Sequence, residues 1–302
     1  MDKFVSVVIP VFNNLEGLSQ TLAALAKQSY PSQSYEVIVV DNASTENVEK
    51  IAARFPQVKF ARESTPGSYM ARNRGIELAK GEILAFTDSD CIPNPNWLAN
   101  GVKELMSVDR CGLVAGKINF FYQNPQKPTA VELYDSATFL NQKKYVREHQ
   151  YGVTANLFAW KSTFAEVGNF NSSLKSGGDK EWGKRVANGG YQLLYAEDVC
   201  ISHPARFSWQ EISQKIARTR IGGYEVDRDS TQNKLLFYGR KLITILWRLK
   251  PPTKSVLEKL NNLDYPLTAI QKTKLIAIAT AIHYQGALVE LKTYFKNLRY
   301  IF

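Results

Sequence analysis

Cysteine is scarce in this 302-residue chain: Cys91, Cys111 and Cys200 lie far apart, leave an odd count and form no metal-ligand spacing. A disulfide framework is therefore not expected, and the three read as reduced, structural thiols suited to a reducing compartment. The glycine signatures of nucleotide-binding folds are missing too. Pro10-Val11-Phe12-Asn13-Asn14, the turn after the first strand-like run, contains no Gly-x-Gly, and there is no P-loop anywhere. A bound nucleotide would have to be held by carboxylates and a metal instead of a glycine cradle. Met1-Asp2-Lys3-Phe4 runs straight into a strand-like segment, without the basic, apolar and small-residue regions of a signal peptide. The catalytic portion is accordingly expected in the cytoplasm. A long uninterrupted hydrophobic run is also absent. The longest apolar helical stretch, 274–291, is broken by His283, Tyr284, Gln285 and Glu290, short of the ~18 to 20 residues a membrane span requires.

What remains is an ordinary globular composition, 44% hydrophobic and 22% charged, in a chain long enough for one large α/β domain and an appendage. The net charge of +10 would suggest nucleic acid, but its distribution argues otherwise. Residues 233–302 hold twelve Lys and Arg against three Asp and Glu, leaving 26 basic and 25 acidic residues in the rest of the chain. The excess belongs to the tail, and no nucleic-acid motif accompanies it, so no nucleic-acid partner is expected.

The apolar runs recur at the spacing of βαβ units. Residues 5–11 are β-branched enough for a central strand, with Pro10 marking its end. Asn13-Asn14 open a helix carrying Leu15, Leu18, Leu22 and Leu25, closed by Tyr30-Pro31. A second strand, 35–40, ends in Asp41-Asn42-Ala43-Ser44, so the sheet begins parallel. The pattern repeats with a helix at 47–55, a strand at 58–61, a helix at 68–79 and a strand at 83–88. A helix over 96–106 and a strand over 112–121 follow. Residues 122–150 have no assignable role. A strand at 152–158, a helix after Gly177-Gly178 stopped by Gly189-Gly190, and strands at 192–195 and 199–201 complete this region.

The chain is organised around Ile83-Leu84-Ala85-Phe86-Thr87-Asp88-Ser89-Asp90, an apolar run ending in two carboxylates. A run without polar alternation suits a strand covered on both faces, and the carboxyl end of such strands is where parallel sheets bind ligands. The two acids converge if the backbone turns after Asp88, which Pro93 and Pro95 favour. Clustered carboxylates repel unless something cationic lies between them; a hard divalent ion shared with phosphate oxygens is the common solution. Taken by itself, the tripeptide reads more readily as a solvated loop.

Six segments in order along roughly the first 205 residues carry a resemblance. They are Val7-Val8-Ile9-Pro10-Val11-Phe12-Asn13, Val40-Asp41-Asn42-Ala43-Ser44, Ala71-Arg72-Asn73-Arg74-Gly75, Thr87-Asp88-Ser89-Asp90, Gly178-Asp179-Lys180-Glu181 and His203-Pro204. Together they resemble the family 2 inverting glycosyltransferases of the nucleotide-sugar-dependent, single-domain type. The resemblance implies an α/β fold: a single GT-A-type, Rossmann-like domain with a mostly parallel central sheet, followed by a basic α-helical C-terminal region. The catalytic domain would span 1–205, its nucleotide-sugar half about 1–121 and its acceptor half about 122–205, with 206–302 as the helical region.

The resemblance also implies site roles. Pro10, Phe12, Asp41, Arg72, Asp88 and Ser89 would bind the donor nucleotide, Asp41 accepting a hydrogen bond from the base. The alternative for Asp41, a cap on the helix at 47–55, could be served as well by Ser44 or Thr45. Arg72 and Arg74 would approach the diphosphate or neighbouring acids, or stand as solvated helix charges. Asp90, with Asp88 and His203, would hold Mn2+ or Mg2+, a Lewis acid on the leaving diphosphate. Asp179 would be the catalytic base, its alternative reading a capping acid at a helix N-terminus. Where many relatives have Glu-Asp this chain has Gly178-Asp179, and Glu181 is the alternative base. Asn156 and Trp182 would face the acceptor, Trp182 being equally a core residue.

After His203 the pattern turns helical, over 209–221 and 235–249, the latter stopped by Pro251-Pro252. Arg240, Lys241, Arg248 and Lys250 alternate with bulky apolar residues and Trp247, a pattern that lies in a headgroup layer. A helical subdomain with ordinary surface lysines is the alternative. The expected activity is transfer of a sugar, UDP-linked by expectation, to a polysaccharide or lipid-linked glycan, by a protein peripheral to an anionic membrane's inner face. A sugar-1-phosphate nucleotidyltransferase would want a glycine-rich phosphate loop after the first strand. A non-catalytic nucleotide-sugar-binding scaffold is opposed by the presence of Asp90 together with Asp179.

Overall fold

The computed structural model describes residues 3–254, 256, 258, 263 and 265–298. The chain divides into two compact units, Met1–Phe120 with Leu140–Pro204, and Phe121–Phe139 with Ala205–Phe302.

The first unit is built on an eight-stranded sheet, ordered β3-β2-β1-β4-β7-β6-β8-β5 among the described residues. β1 (Val5–Val11), β2 (Tyr35–Asp41), β3 (Val58–Arg62) and β4 (Ile83–Thr87) pair in parallel. Every residue of β4 is buried, as are all of β1 but Pro10, which is why these strands read as unbroken apolar runs. α1 (Leu15–Leu25), α2 (Val48–Ala52) and α3 (Ser68–Leu78) supply the crossovers. Asn14 caps α1 by accepting the Gly17 N–H, and Asn47 caps α2 by accepting that of Lys50.

Parallel pairing stops at β4. β7 (Asn156–Trp160) joins β4 antiparallel, β6 (Cys111–Phe121) joins β7 antiparallel, and β5 (Ile92–Pro93) joins β8 (Gln192–Pro204) antiparallel. The sheet is therefore mixed, its parallel part confined to the first βαβ units. β8 is one strand where two were expected, because exposed Glu197 and Asp198 interrupt its apolar pattern without interrupting its backbone. α4 (Trp97–Leu105), α6 (Gln142–His149), α7 (Lys161–Val167) and α8 (Gly178–Asn188) complete the unit. All three cysteines are free and buried.

The second unit is helical. α5 (Ala130–Thr138) opens with a capping box between Thr129 and Glu132. It packs Val131, Leu133 and Tyr134 against Ile212 and Ile216 of α9 (Trp209–Asp229) and Leu275, Ala279 and Ile282 of α11 (Ala269–Leu298). Asp135, fully buried, accepts from Lys215 Nζ at 2.6 Å and from the Arg206 N–H at 2.9 Å. Residues 121–139 thus belong with the C-terminal helices and not with an acceptor half of the sheet domain. Their partners lie beyond residue 205, out of reach of local periodicity. α10 (Lys234–Arg248) packs Phe237, Tyr238 and Ile245 on Tyr224 and Tyr294. Among the described residues no helix is long and apolar enough to cross a membrane.

Candidate active site

Because β2, β1 and β4 are parallel neighbours, their carboxyl ends meet at one rim. Asp41 stands there opposite Val11, buried, and Asp88 follows the last residue of β4. Asp41 Oδ1 accepts the Ser44 N–H at 3.0 Å, and its Oδ2 lies 3.4 Å from Arg62 Nε. It caps no helix, since Asn47 fills that role for α2, and neither Ser44 nor Thr45 is the cap either. Instead Ser44 Oγ accepts the Asn13 N–H, and Asn13 Oδ1 accepts the Thr45 N–H. The turns after β1 and β2 are so stitched together. Pro10 is half-buried within β1, and Phe12, just beyond it, is 62% exposed at this rim. Ser89 is buried, its Oγ accepting from Asn14 Nδ2 at 3.2 Å.

Arg72 is the buried cation of the site. α3 delivers it so that Nη2 donates to Asp88 Oδ1 at 2.6 Å, with the guanidinium 5.7 Å from the Tyr69 ring. Its Nε is buried and donates to no protein atom among the described residues. Arg74 is elsewhere: exposed, it pairs with Glu77 at 3.0 Å as an ordinary helix-surface charge.

Asp179 occupies the first turn of α8. Its Oδ1 accepts from Thr154 Oγ1 at 3.0 Å, and its N–H donates to Tyr69 Oη at 3.3 Å. Burial pushes its pKa up to about 6, opposed by the positive charge of Arg72 and the hydrogen bond from Thr154. Gly178 is required by Tyr69. A Cβ at that position would meet Cε2 and Cζ of the ring at 2.7 Å. The space an acidic side chain would start from is thus filled by the tyrosine.

Asp90 and His203 meet through the shortest strand of the sheet. β5 pairs Ile92 with Ser202, which brings the residues before Ile92 beside His203. Asp90 Oδ1 lies 3.7 Å from His203 Nε2 and 3.9 Å from Cys91 Sγ, and the three ligand-type atoms lie within 4.8 Å of one another. His203 Nδ1 is 2.7 Å from the Pro204 carbonyl oxygen, which can only accept. In the neutral ring Nδ1 therefore bears the hydrogen, which leaves the Nε2 lone pair free to ligate. Burial, then the nearby Asp88 and Asp90, push the Cys91 thiol well above its usual range.

Three residues expected in catalysis or acceptor binding are structural. Both oxygens of Glu181 are gripped by Arg185, at 2.7 Å and 2.9 Å, and Arg185 also donates to the Asn169 carbonyl after α7. Glu181 is therefore a clamp on that loop and not a spare base. Trp182 is fully buried, stacked on Phe164 at 4.3 Å, with Nε1 donating to the Gly168 carbonyl. Asn156 is fully buried and spends its amide on Trp97 Nε1 and the carbonyls of Lys117 and Val199. Trp182 and Asn156, fully buried, present no atom to an acceptor sugar. Conversely, Asn13, Asn14, Tyr69 and Thr154 shape the site without having been singled out for it. Asn13-Asn14 signals only a helix start, and nothing local to Tyr69 or Thr154 points to Asp179.

A family model described as glycosyl transferase family 2 matches residues 6–167, more than half of the chain. The chain belongs to glycosyltransferase family 2. Glycosyltransferase AglE of Haloferax volcanii is 40% identical over 228 residues, 74% of each chain. Chondroitin synthase of Escherichia coli is 34% identical over 161 residues, 52% of this chain and 22% of that enzyme. Among solved structures, mannosyltransferase PcManGT from Pyrobaculum calidifontis, in complex with GDP-Man and Mn2+, superposes with a TM-score of 0.66. That match covers 96% of this chain and 88% of the other at 18% identity, so it is a likeness of fold, the GT-A fold. The family 2 match ends before Asp179 and His203; their place in the site rests on geometry.

Proposed function

We propose that this family 2 glycosyltransferase is an inverting enzyme that moves a sugar from a nucleoside diphosphate donor to a hydroxyl of a glycan or lipid-linked glycan. The observation that carries the reading is the pairing of Asp88 with Arg72 and of Asp90 with His203, with Asp179 near enough to feel the charges of Arg72 and Asp88. One carboxylate oxygen and one imidazole nitrogen with a fixed tautomer suit Mn2+ or Mg2+, with Asp88 close in sequence to share it. When bound, the ion supplies positive charge that stabilises the departing diphosphate. The Mn2+ and GDP-Man of the structurally similar mannosyltransferase support this assignment.

The remaining work falls to the chain's own residues. Asp41 offers a buried carboxylate to a base N–H, and exposed Phe12 offers a ring face beside it. The Arg72 guanidinium, paired with Asp88, sets positive charge beside the diphosphate. Asp179 takes the proton from the acceptor hydroxyl as that oxygen bonds to the anomeric carbon. The carbon's bond to the diphosphate oxygen breaks, and its electron pair leaves with the nucleoside diphosphate. Attack opposite the leaving group inverts the anomeric centre. A base with a pKa of about 6 is mostly ionised at neutral pH yet still a competent proton acceptor.

A panel of UDP- and GDP-sugars, each with Mn2+, with Mg2+ and with a chelator, tests the reading by donor binding and by hydrolysis or transfer. Metal-dependent binding of one donor and a product of inverted configuration are expected. If no donor binds in a metal-dependent way, the reading fails. Asp179→Asn should abolish transfer while donor binding persists.

A further inference from the structure

The outer face of α10 is apolar and uncovered. Leu235, Leu236, Ile243, Leu246 and Trp247 are 76%, 46%, 58%, 53% and 64% exposed. At 100° per residue the five fall within a sector of about 120°. The inward face is fully accounted for by Phe237, Tyr238, Lys241 and Ile245. Lys241, expected among the headgroup-facing charges, is turned inward onto Asp227 at 3.2 Å and lies 5.3 Å from the Tyr224 ring. Arg248 is likewise engaged, by Glu290. The exposed apolar sector therefore reflects no shortage of packing partners; something outside the unit is needed to cover it.

Charge identifies what that is. Between Asp229 and Glu258 the chain has no acidic residue and six basic ones. Three of these, Arg240, Lys250 and Lys254, are exposed along the helix and just beyond it, whereas Lys234 Nζ is held by the Arg228 and Thr231 carbonyls. A second copy docked by twofold symmetry would set these like-charged rims against each other. Anionic headgroups would instead neutralise the rim while the acyl boundary receives the apolar side chains. Trp247, with Lys250 Nζ 3.6 Å from its ring centroid, has the amphipathic character found at that boundary. We infer that α10 docks this protein on an anionic lipid bilayer, lying in the interface with its Leu235, Ile243 and Trp247 face inserted. The docking rests on the lipid-linked acceptor reading for its purpose, but its test uses neither donor nor acceptor, so the two can fail separately.

The experiment is flotation of the full chain with phosphatidylcholine vesicles, with and without phosphatidylglycerol, at low and high salt. Flotation is expected only with the anionic vesicles, weakening as salt screens the rim. Ile243→Glu with Trp247→Glu should abolish it. Arg240→Gln with Lys250→Gln, which touches no packed residue, should weaken it about 25-fold, at about fivefold per charge. Hydrolysis of a soluble donor should be unchanged in both variants. Absence of flotation, or flotation unaltered by the charge variant, overturns the inference. So does a concentration-dependent dimer in sedimentation that Ile243→Glu dissolves, which would assign the face to a second copy.

Discussion

The Thr154 hydroxyl donates to Asp179 Oδ1 at 3.0 Å, tying the segment before β7 to the first turn of α8. A bond to the ionised form lowers a carboxyl pKa, and here it works against burial, which holds Asp179 at about 6. As a base Asp179 must be ionised, so kcat/KM should rise as pH climbs through about 6. Thr154→Val removes the opposing bond and should move that acid limb up by about one pH unit. The pH profile of transfer is the measurement, and an unmoved limb would strip Thr154 of its positioning role.

The same carboxyl makes a prediction about stability. Unfolded, Asp179 titrates near its ordinary value of 3.8, so between about pH 4 and 6 the folded chain keeps a proton the unfolded chain has lost. Its contribution is most favourable below pH 4 and is lost as pH rises through 6. Asp179→Asn should therefore stabilise the fold at pH 7, by about 1–2 kcal/mol allowing for solvent around a half-buried group, and do nothing below pH 4. Urea unfolding at the two pH values checks this.

Gly178 and Tyr69 should be energetically coupled. Gly178→Ala places a methyl at 2.7 Å from the ring and should cost about 1–3 kcal/mol as the ring or the helix start gives way. In combination with Tyr69→Ala the penalty of the added methyl should largely vanish. Additive losses in a double-mutant cycle would show that the ring is not what excludes a side chain there.

Metal binding can be read without turnover. Mn2+ should raise the thermal midpoint of the protein, since a ligand of the folded state alone stabilises it by mass action. Asp90→Asn and His203→Gln should each remove that increase. Glu181→Gln should keep it, because Glu181 is committed to Arg185. Retention of the full shift in His203→Gln would take the imidazole out of the metal site.

Much of the framework was legible because it is local. β1, β2 and β4 are buried on both faces, so their apolar runs stand out, and Asp41 and Asp88 could be placed at the strand ends by reading along the chain. The antiparallel half of the sheet was less legible. β5 is two residues long and contains Pro93, which reads as a turn, yet its pairing with β8 is what sets Asp90 beside His203. α5 likewise follows its apolar partners on α9 and α11, which lie far away in sequence.

The sequence by itself determined the alternation of strands and helices, the acids at the strand ends and the basic balance of the C-terminal region, all properties of short windows. Tertiary structure decided what each polar side chain is free to do. Glu181, Trp182 and Asn156 have the chemistry of site residues but are consumed by Arg185, by the Phe164 stack and by backbone carbonyls. Lys241 carries the charge of a headgroup ligand but is turned inward onto Asp227. Asp179 was a candidate base by resemblance, but its raised pKa comes from burial, which outweighs the lowering effects of Arg72 and Thr154. The physical reason is the same throughout: residue type sets which bonds a group can form, while burial and distance between remote segments set which of them remain for a substrate.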